Sequence, residues 1–466
     1  MNYISTRGGG EPKSFEEVLL AGLAPDGGLY IPESYPLLDL AALKGKPYAE
    51  VAEAVMFPFV EGSIPREDFR SIIAETYSEE IFRDPDVVPL KPLSGDVHVL
   101  ELFHGPTIAF KDVALQLLGR LFDYVLEKRG EHITIVGATS GDTGSAAIEG
   151  CRRSRHIDIF ILFPDGRVSE VQRRQMTTVK APNVHNIALE GTFDDCQAMV
   201  KAMFADETFR ERVNLSAVNS INWARIMAQI VYYVYAALKL GAPEKEVSFV
   251  VPTGNFGNVF AGYCARRMGL PVKTLAIATN RNDILTRFFE TGLMSAEEVV
   301  PTLSPSMDIQ VSSNFERYLF EAMDRDPVAL KNFMEEFKKS GQSSVLSEDF
   351  IQKTRNGFAA FRCGEDETLA TMKQVCEDTG YVLDPHSAVG MKAAQALEAQ
   401  GQGGAVVLLA TAHPAKFPDA VERATGQTPA LPDHLSDLLT REEALTPMPN
   451  DLEQVREMVL GKTNYS

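Results

Sequence analysis

Six short runs of consecutive apolar residues, rich in Val and Ile, recur along the chain and are separated by longer stretches of helical period. They are HITIVGA (132–138), IDIFILF (157–163), VHNIALE (184–190), EVSFVVP (246–252), VKTLAIA (272–278) and GAVVLLA (404–410). Most stay apolar on successive positions instead of alternating, as strands buried on both faces do. Such strands, alternating with helices, build parallel sheets covered by helices, so the pattern predicts an α/β fold.

The segments between the runs agree. DCQAMVKAMFADETF and NWARIMAQIVYYVYAALKLG place apolar residues three and four apart, and the second stops at Gly241 and Pro243. Residues 1–90 contain no comparable strand series. SFEEVLLAGLA, YAEVAEAVMFPFV and REDFRSIIAETY predict short amphipathic helices there, hence a mostly helical N-terminal domain over 1–95. The charged, Pro-containing segment 296–364 reads as a mainly helical elaboration of the sheet core. A large α/β domain is expected from 96–130 and 235–466, and a smaller, mobile one over 131–234.

A chain of 466 residues divides its core between two or three domains. Its net charge of -19 repels nucleic acid and anionic membranes, so an anionic ligand must be held by a local site, and a small metabolite is the expected partner. Cys151, Cys196, Cys264, Cys363 and Cys376 form no C-x-x-C pair, which suggests neither disulfides nor a metal site. The N-terminus carries no targeting pattern, and no apolar run approaches the roughly 20 residues that cross a bilayer. The expected location is the cytoplasm, as a monomer or homodimer.

Five stretches carry chemistry. In ELFHGPTIAFKDVALQLLGR the apolar spacing starts a helix at or just after Lys111. A cation there opposes the helix dipole, whereas Asp112 suits it. Lys111 is either a surface lysine with a packed stem or a partly desolvated amine, and a desolvated lysine has the lowered pKa that carbonyl chemistry requires. IVGATSGDTGSAAIEG is a strand, then a loop of Gly, Ser and Thr, then a helix. Thr139, Ser140, Gly141, Asp142 and Thr143 combine glycine freedom, hydroxyl donors and helix amides, a cradle for a carboxylate or phosphate.

FVVPTGNFGNVFAGY repeats the arrangement: backbone N–H groups of Gly254, Asn255, Phe256, Gly257 and Asn258 can line a nest for one phosphate. Neither loop fits G-x-G-x-x-G or G-K-[ST], which argues against dinucleotide and Walker sites. Two cradles imply two anionic ends. In VVLLATAHPAKF, Thr411 stands just past a buried strand, where open α/β sheets bind ligands, and His413 reads equally as a core histidine or a catalyst. In AVNSINWAR, Asn219, Ser220, Asn222 and Arg225 cluster before a helix, as caps and a surface ion pair or as a polar substrate pocket.

Taken in order, HGPTIAFKD, GATSGDTGSAA, PTGNFGN, AVNSINWAR, LDPHSAVG and TAHPAKF resemble the threonine synthase family, in particular its longer microbial and fungal branch. From GLAPDGGLYIP to TAHPAKFPDAVE the resemblance covers nearly the whole chain. It implies a pyridoxal 5'-phosphate enzyme of the tryptophan-synthase-β fold (fold type II), with two parallel-sheet α/β domains and a helical N-terminal layer. The larger domain would hold the cofactor. The implied reaction converts O-phospho-L-homoserine and water to L-threonine and phosphate, the last step of threonine biosynthesis. Lys111 would bear the cofactor, Gly254 to Asn258 its phosphate and Thr411 its pyridine nitrogen. Thr139 to Thr143 would take the substrate carboxylate. Asn219, Ser220, Asn222 and Arg225 would take the substrate phosphate, with Arg167, Ser169 and Gln172 as further candidates. No metal is implied. Ile108 stands where leucine is common, a conservative exchange. Other readings are a phospho-lyase that yields 2-oxobutyrate and a non-catalytic homologue that binds phosphorylated metabolites, against which the presence of Lys111 counts.

Overall fold

The computed structural model describes residues 1–400 and 404–464. In chain order the first strands are β1 (Tyr3–Ser5), β2 (Tyr30–Pro32), β3 (Leu90–Ser94), β4 (Val97–Glu101), β5 (Ile133–Ala138), β6 (Ile157–Pro164) and β7 (Val184–Leu189). They are followed by β8 (Leu215–Ser216), β9 (Val247–Pro252), β10 (Val272–Thr279), β11 (Phe358–Arg362), β12 (Ala405–Ala410) and β13 (Thr446–Met448). All six expected strands are present, with ends within a residue of those read from the apolar runs.

The chain forms two compact units: residues 1–18, 22–104 and 220–429 make the larger, and residues 19–21, 105–219 and 430–466 the smaller. The larger unit is built on a six-stranded sheet in the order β11-β10-β9-β12-β4-β3. Its strands are parallel except for β3, which pairs antiparallel with β4. Central strands β9 and β12 are apolar on both faces because helices cover both: the Pro385–Ala399 helix packs Ala388, Val389 and Ala394 into the core beside Val250 and Leu408. The helix Trp223–Lys239 is buried all round from Trp223 to Leu238, as its almost unbroken apolar sequence demands. Its phenol hydroxyls at Tyr232 and Tyr233 therefore have to find partners inside, and both find Asn258.

The smaller unit carries a five-stranded parallel sheet in the order β13-β7-β6-β5-β8. Every residue of β6 is buried. Each large apolar side chain buried there contributes roughly 1.5–3 kcal/mol. Asp158, the second residue of β6, has no exposed surface and accepts from His132 Nε2 at 2.9 Å and from the backbone N–H of Asn464 at 2.6 Å.

The units divide the chain differently from the domains expected above. The N-terminal helices belong to the larger unit: Phe59 meets Trp223 at 5.5 Å between ring centroids and Tyr48 meets Tyr235 at 5.2 Å. Those contacts also carry residues 220–234 into the larger unit. The same region contains a two-stranded antiparallel sheet, β1 with β2, that its sequence did not suggest. The helix Lys111–Arg129 belongs to the smaller unit, because Gly119 and Gly150 let it lie against the Asp142–Cys151 helix; a Cβ on Gly119 would stand 2.0 Å from the Gly150 carbonyl oxygen. The tail joins the smaller unit as well. There β13 extends the sheet, and Val455 and Val459 of the Leu452–Lys462 helix fill its core beside Phe160, Leu162 and Ile187. Residues 465 and 466, at the end of the expected large domain, lie outside the described residues. Segment 296–364 contributes an edge strand, β11, as well as helices. Among the described residues no helix is long and apolar enough to cross a membrane.

Candidate active site

In the smaller unit Thr139 to Thr143 follow the C-terminal end of β5, and in the larger unit Gly254 to Asn258 and Thr411 follow those of β9 and β12, the end at which open α/β sheets bind ligands. In the smaller unit, Lys111 is the first residue of its helix. The turn before it is tied by Asp112, which has no exposed surface: Thr107 donates its backbone N–H to Oδ2 at 2.8 Å and its hydroxyl to Oδ1 at 2.7 Å. Ile108 is held inside this turn at φ 52°, a left-handed conformation that is strained for a β-branched residue. Lys111 is accordingly no snorkelling surface lysine. Its side chain is 11% exposed, and Nζ donates to Asp142 Oδ2 at 3.2 Å.

Asp142 comes from the loop after β5, and its other oxygen accepts from Gln172 Nε2 at 2.9 Å. The carboxylate is thus directed to the lysine and not to an anion. What the loop offers an anion is the first-turn N–H groups of the Asp142–Cys151 helix, which have no intrahelical acceptor. Thr139 Oγ1 already accepts two N–H groups, from Gly141 and Gly144, each at 3.0 Å. Its hydroxyl caps the helix, while Ser140 is exposed and Thr143 half-buried. Gly141 has φ 138° and a Cβ there would collide with Gln172 at 2.7 Å, so glycine is required. Ser169 caps the Glu170–Thr177 helix and donates to Gln172 Oε1 at 2.9 Å; Arg167 is exposed. Gln172 therefore orients Asp142, a role its sequence context did not indicate. Asn219, half-buried, ends the central stretch of this unit.

In the larger unit the loop Gly254–Asn258 leaves β9 and opens the Gly257–Arg267 helix, whose first-turn amides point out of its N-terminus. Not every residue of the loop offers a free backbone N–H. The N–H of Gly257 is taken by Asn255 Oδ1 at 3.1 Å, and the Asn255 amide donates to Ser220 Oγ at 2.6 Å, so its side chain is structural. Phe256 sits at φ 68°, kept there by a ring packed 4.9 Å from Phe315 and 5.6 Å from Tyr318.

Asn258 is the informative member. Its Oδ1 accepts from Tyr232 Oη at 2.6 Å and Tyr233 Oη at 2.9 Å, which fixes the amide so that Nδ2 faces the other way. That Nδ2 is buried and meets no acceptor among the described residues. Burial pushes both tyrosine hydroxyls well above their usual range, so they act as donors. Thr411 is buried one residue beyond β12, the sheet neighbour of β9. His413 is used structurally, accepting the N–H of Ala415 at 3.2 Å and standing edge-on to Phe103.

The turn before the Trp223–Lys239 helix supplies the remaining group. Asn222 is its N-cap, accepting the N–H of Ala224 at 3.0 Å, and is not a ligand through that oxygen. Arg225, one turn on, is 3% exposed. Among the described residues neither Nε nor Nη1 meets an acceptor, and no carboxylate pairs with the guanidinium. Burial alone pushes its guanidinium down to about 10. A charged, desolvated fork without a partner is expensive, and an anion is the kind of group that would offset the cost.

Comparison with known proteins agrees with this chemistry. The chain matches the family models described as "Threonine synthase N terminus" over residues 2–77, "Pyridoxal-phosphate dependent enzyme" over 83–330 and "Threonine synthase, C-terminal" over 387–459. The threonine synthase of Pseudomonas aeruginosa is 56% identical over 463 residues, which cover 98% of each chain. The chain belongs to the threonine synthase family. Among solved structures of the family, the pyridoxal-phosphate-bound threonine synthase of Brucella melitensis is 54% identical, with a TM-score of 0.97 and 100% of both chains covered. The threonine synthase of yeast is 41% identical with a TM-score of 0.94, covering 99% of this chain and 98% of its own. The fold is that of the fold type II pyridoxal-phosphate-dependent enzymes, as the motifs implied.

Proposed function

We propose that the protein is a threonine synthase, which converts O-phospho-L-homoserine and water into L-threonine and phosphate with pyridoxal 5'-phosphate as cofactor. Family membership supports the reaction, and the observation within this chain that carries its substrate half is the buried, unpartnered Arg225.

The larger unit fits the cofactor. Asn258 Nδ2 is an oriented, buried donor lacking an acceptor, and a phosphate oxygen is the acceptor that the N-terminus of the Gly257–Arg267 helix favours. At Gly254 a Cβ would stand 3.1 Å from the Met307 backbone, so the bare backbone packs there and leaves its loop for the ligand. Thr411 supplies a neutral hydroxyl for the pyridine nitrogen. When bound, the cofactor supplies a conjugated electron sink for bonds broken at the substrate's Cα and Cβ.

The chain's own residues hold the substrate and move its protons. Lys111 Nζ is the amine that would bear the cofactor, and as a free amine it would carry protons at the substrate's Cα and Cβ. Asp142, itself held by Gln172, keeps Nζ on a fixed bearing. The first-turn amides at Asp142 and Thr143, with Ser140, take the substrate carboxylate. Arg225, with Asn219 and Ser220 nearby in sequence, takes the substrate phosphate, and a guanidinium suits it because its fork matches two phosphate oxygens. Phosphate departs from Cγ and water adds at Cβ, so exclusion of water before that step limits loss to the keto acid.

The C–O bond broken is testable. In water enriched in oxygen-18, the label is expected in the β-hydroxyl of threonine, with none in the released phosphate. Solvent label in the phosphate would mean cleavage of the P–O bond and would overturn the assignment.

A further inference from the structure

The larger unit contains a second buried guanidinium that the reading above leaves unused. Arg317, in the Phe315–Ala322 helix, has no exposed surface, and its donors end on oxygens of three separate segments. Nε donates to the Tyr30 carbonyl in β2 at 2.9 Å, Nη2 to the Ile221 carbonyl at 2.5 Å, and Nη1 to Asn314 Oδ1. Its Cζ lies 5.9 Å from the centroid of the Trp223 ring. Burial pushes the guanidinium down to about 10, and Glu316, the carboxylate next to it in sequence, is engaged with Thr6 and Arg7. A strut that needed only to fill space could be apolar at lower cost.

What the arginine adds is polarity at one atom. Because Asn314 Oδ1 receives Nη1, the Asn314 amide has to present Nδ2 on its other side, where it donates to Asn255 Oδ1 at 2.9 Å and to the Ser220 carbonyl at 3.0 Å. Asn255 Oδ1, so fixed, also accepts the N–H of Gly257 at 3.1 Å, and Asn255 Nδ2 turns to Ser220 Oγ. Flipping Asn314 would set donor against donor and acceptor against acceptor, and flipping Asn255 would turn its Nδ2 onto Asn314 Nδ2 and the Gly257 N–H. The chain of orientation runs from Arg317 through Asn314 to Asn255 and ends on the first amide of the Gly257–Arg267 helix. Along the same loop Phe256 is held at φ 68°, a conformation that relaxes unless both flanks are pinned.

We infer that Arg317 is a positioning residue for the cofactor phosphate: through Asn314 it sets the Asn255 amide, and with it the loop Gly254–Asn258, in the orientation that receives the phosphate. The inference rests on the reading of that loop as the phosphate site.

The test is discrimination between pyridoxal 5'-phosphate and pyridoxal, which lacks only the phosphate, measured as the two dissociation constants of the full-length chain freed of cofactor. The wild-type chain should favour the phosphorylated form by about 100-fold or more. Arg317→Gln should cut that preference about tenfold or more while pyridoxal affinity changes little, whereas a merely structural lesion lowers both affinities together. Arg317→Lys keeps the charge but not the fork, and should fail to restore the preference. Asn314→Ala interrupts the same relay with Arg317 intact, so it carries the test if the arginine variants do not fold. An unchanged preference in Arg317→Gln or Asn314→Ala, or full restoration by Lys, overturns the inference while leaving the phosphate loop in place. A wild-type chain without the preference overturns the loop reading, and the inference with it.

Discussion

Replacing Arg225 by methionine should cost the enzyme most of its activity and none of its stability. In the folded chain the guanidinium is buried with Nε and Nη1 unpartnered, and its pKa is pushed down to about 10 by desolvation. The sign follows from the direction of that shift. Between about pH 10 and the ordinary arginine range the unfolded chain binds the extra proton, so stability attributable to this group rises with pH there. At neutral pH the group is charged in both states, and its burial is a standing penalty. Methionine fills similar volume without the charge, so melting temperature should hold or rise, by on the order of 1–4 kcal/mol of stability at most. Binding of a phosphate ester should lose a charge-assisted pair, about 3–4 kcal/mol, or roughly 100- to 1000-fold in kcat/KM with most of the loss in KM. Steady-state kinetics alongside thermal denaturation checks both halves. Normal kinetics would show that Arg225 binds no substrate anion, and a large fall in melting temperature would show that it has an internal partner.

Lys111→Ala should abolish the visible absorption of lysine-bound cofactor and reduce turnover by at least about 1000-fold. The residue is asked to do two things, to hold the cofactor and to move protons, so added primary amine should recover only a little of the rate. The fold should survive, because Lys111 opens a helix whose buried apolar face starts with Val113 and whose preceding turn is tied by the buried Asp112. Far-ultraviolet circular dichroism near the wild-type trace, together with a lost absorption band, is the expected pair of results. A retained band would place the reactive amine on another lysine.

The asymmetry between these two residues and their surroundings shows what a single sequence discloses. The buried strands were legible because IDIFILF and EVSFVVP are apolar at successive positions, a pattern few other structures produce. By contrast, β3 and β11 were not, since LKPLS is half-exposed and carries Lys and Pro, and FAAFR is an edge strand set between charged helices. The tail helix Leu452–Lys462 shows only Val455 and Val459 on its buried face, and nothing local says that their partners are Phe160 and Ile187.

The same limit applies within the site. Lys111 could be singled out as a candidate from a helix start, and Arg225 from its spacing after Asn222, because both signals are local. Asp142 was read as part of an anion cradle, but the direction of its carboxylate depends on Lys111 and Gln172, 31 and 30 residues away. Asn314 and Arg317 lie in a segment whose composition reads as an elaboration of the core. Their partners at Tyr30, Ser220, Ile221 and Asn255 come together only in the fold, and the one local hint is the three-residue spacing of Asn and Arg at a helix start.

The most direct test of the central claim is the set of products. The full-length chain, loaded with pyridoxal 5'-phosphate and given O-phospho-L-homoserine, should release phosphate and L-threonine in equal amounts, with 2-oxobutyrate a minor fraction. Phosphate matched by 2-oxobutyrate instead of threonine would make the protein a phospho-lyase, and no phosphate at all would contradict the substrate assignment.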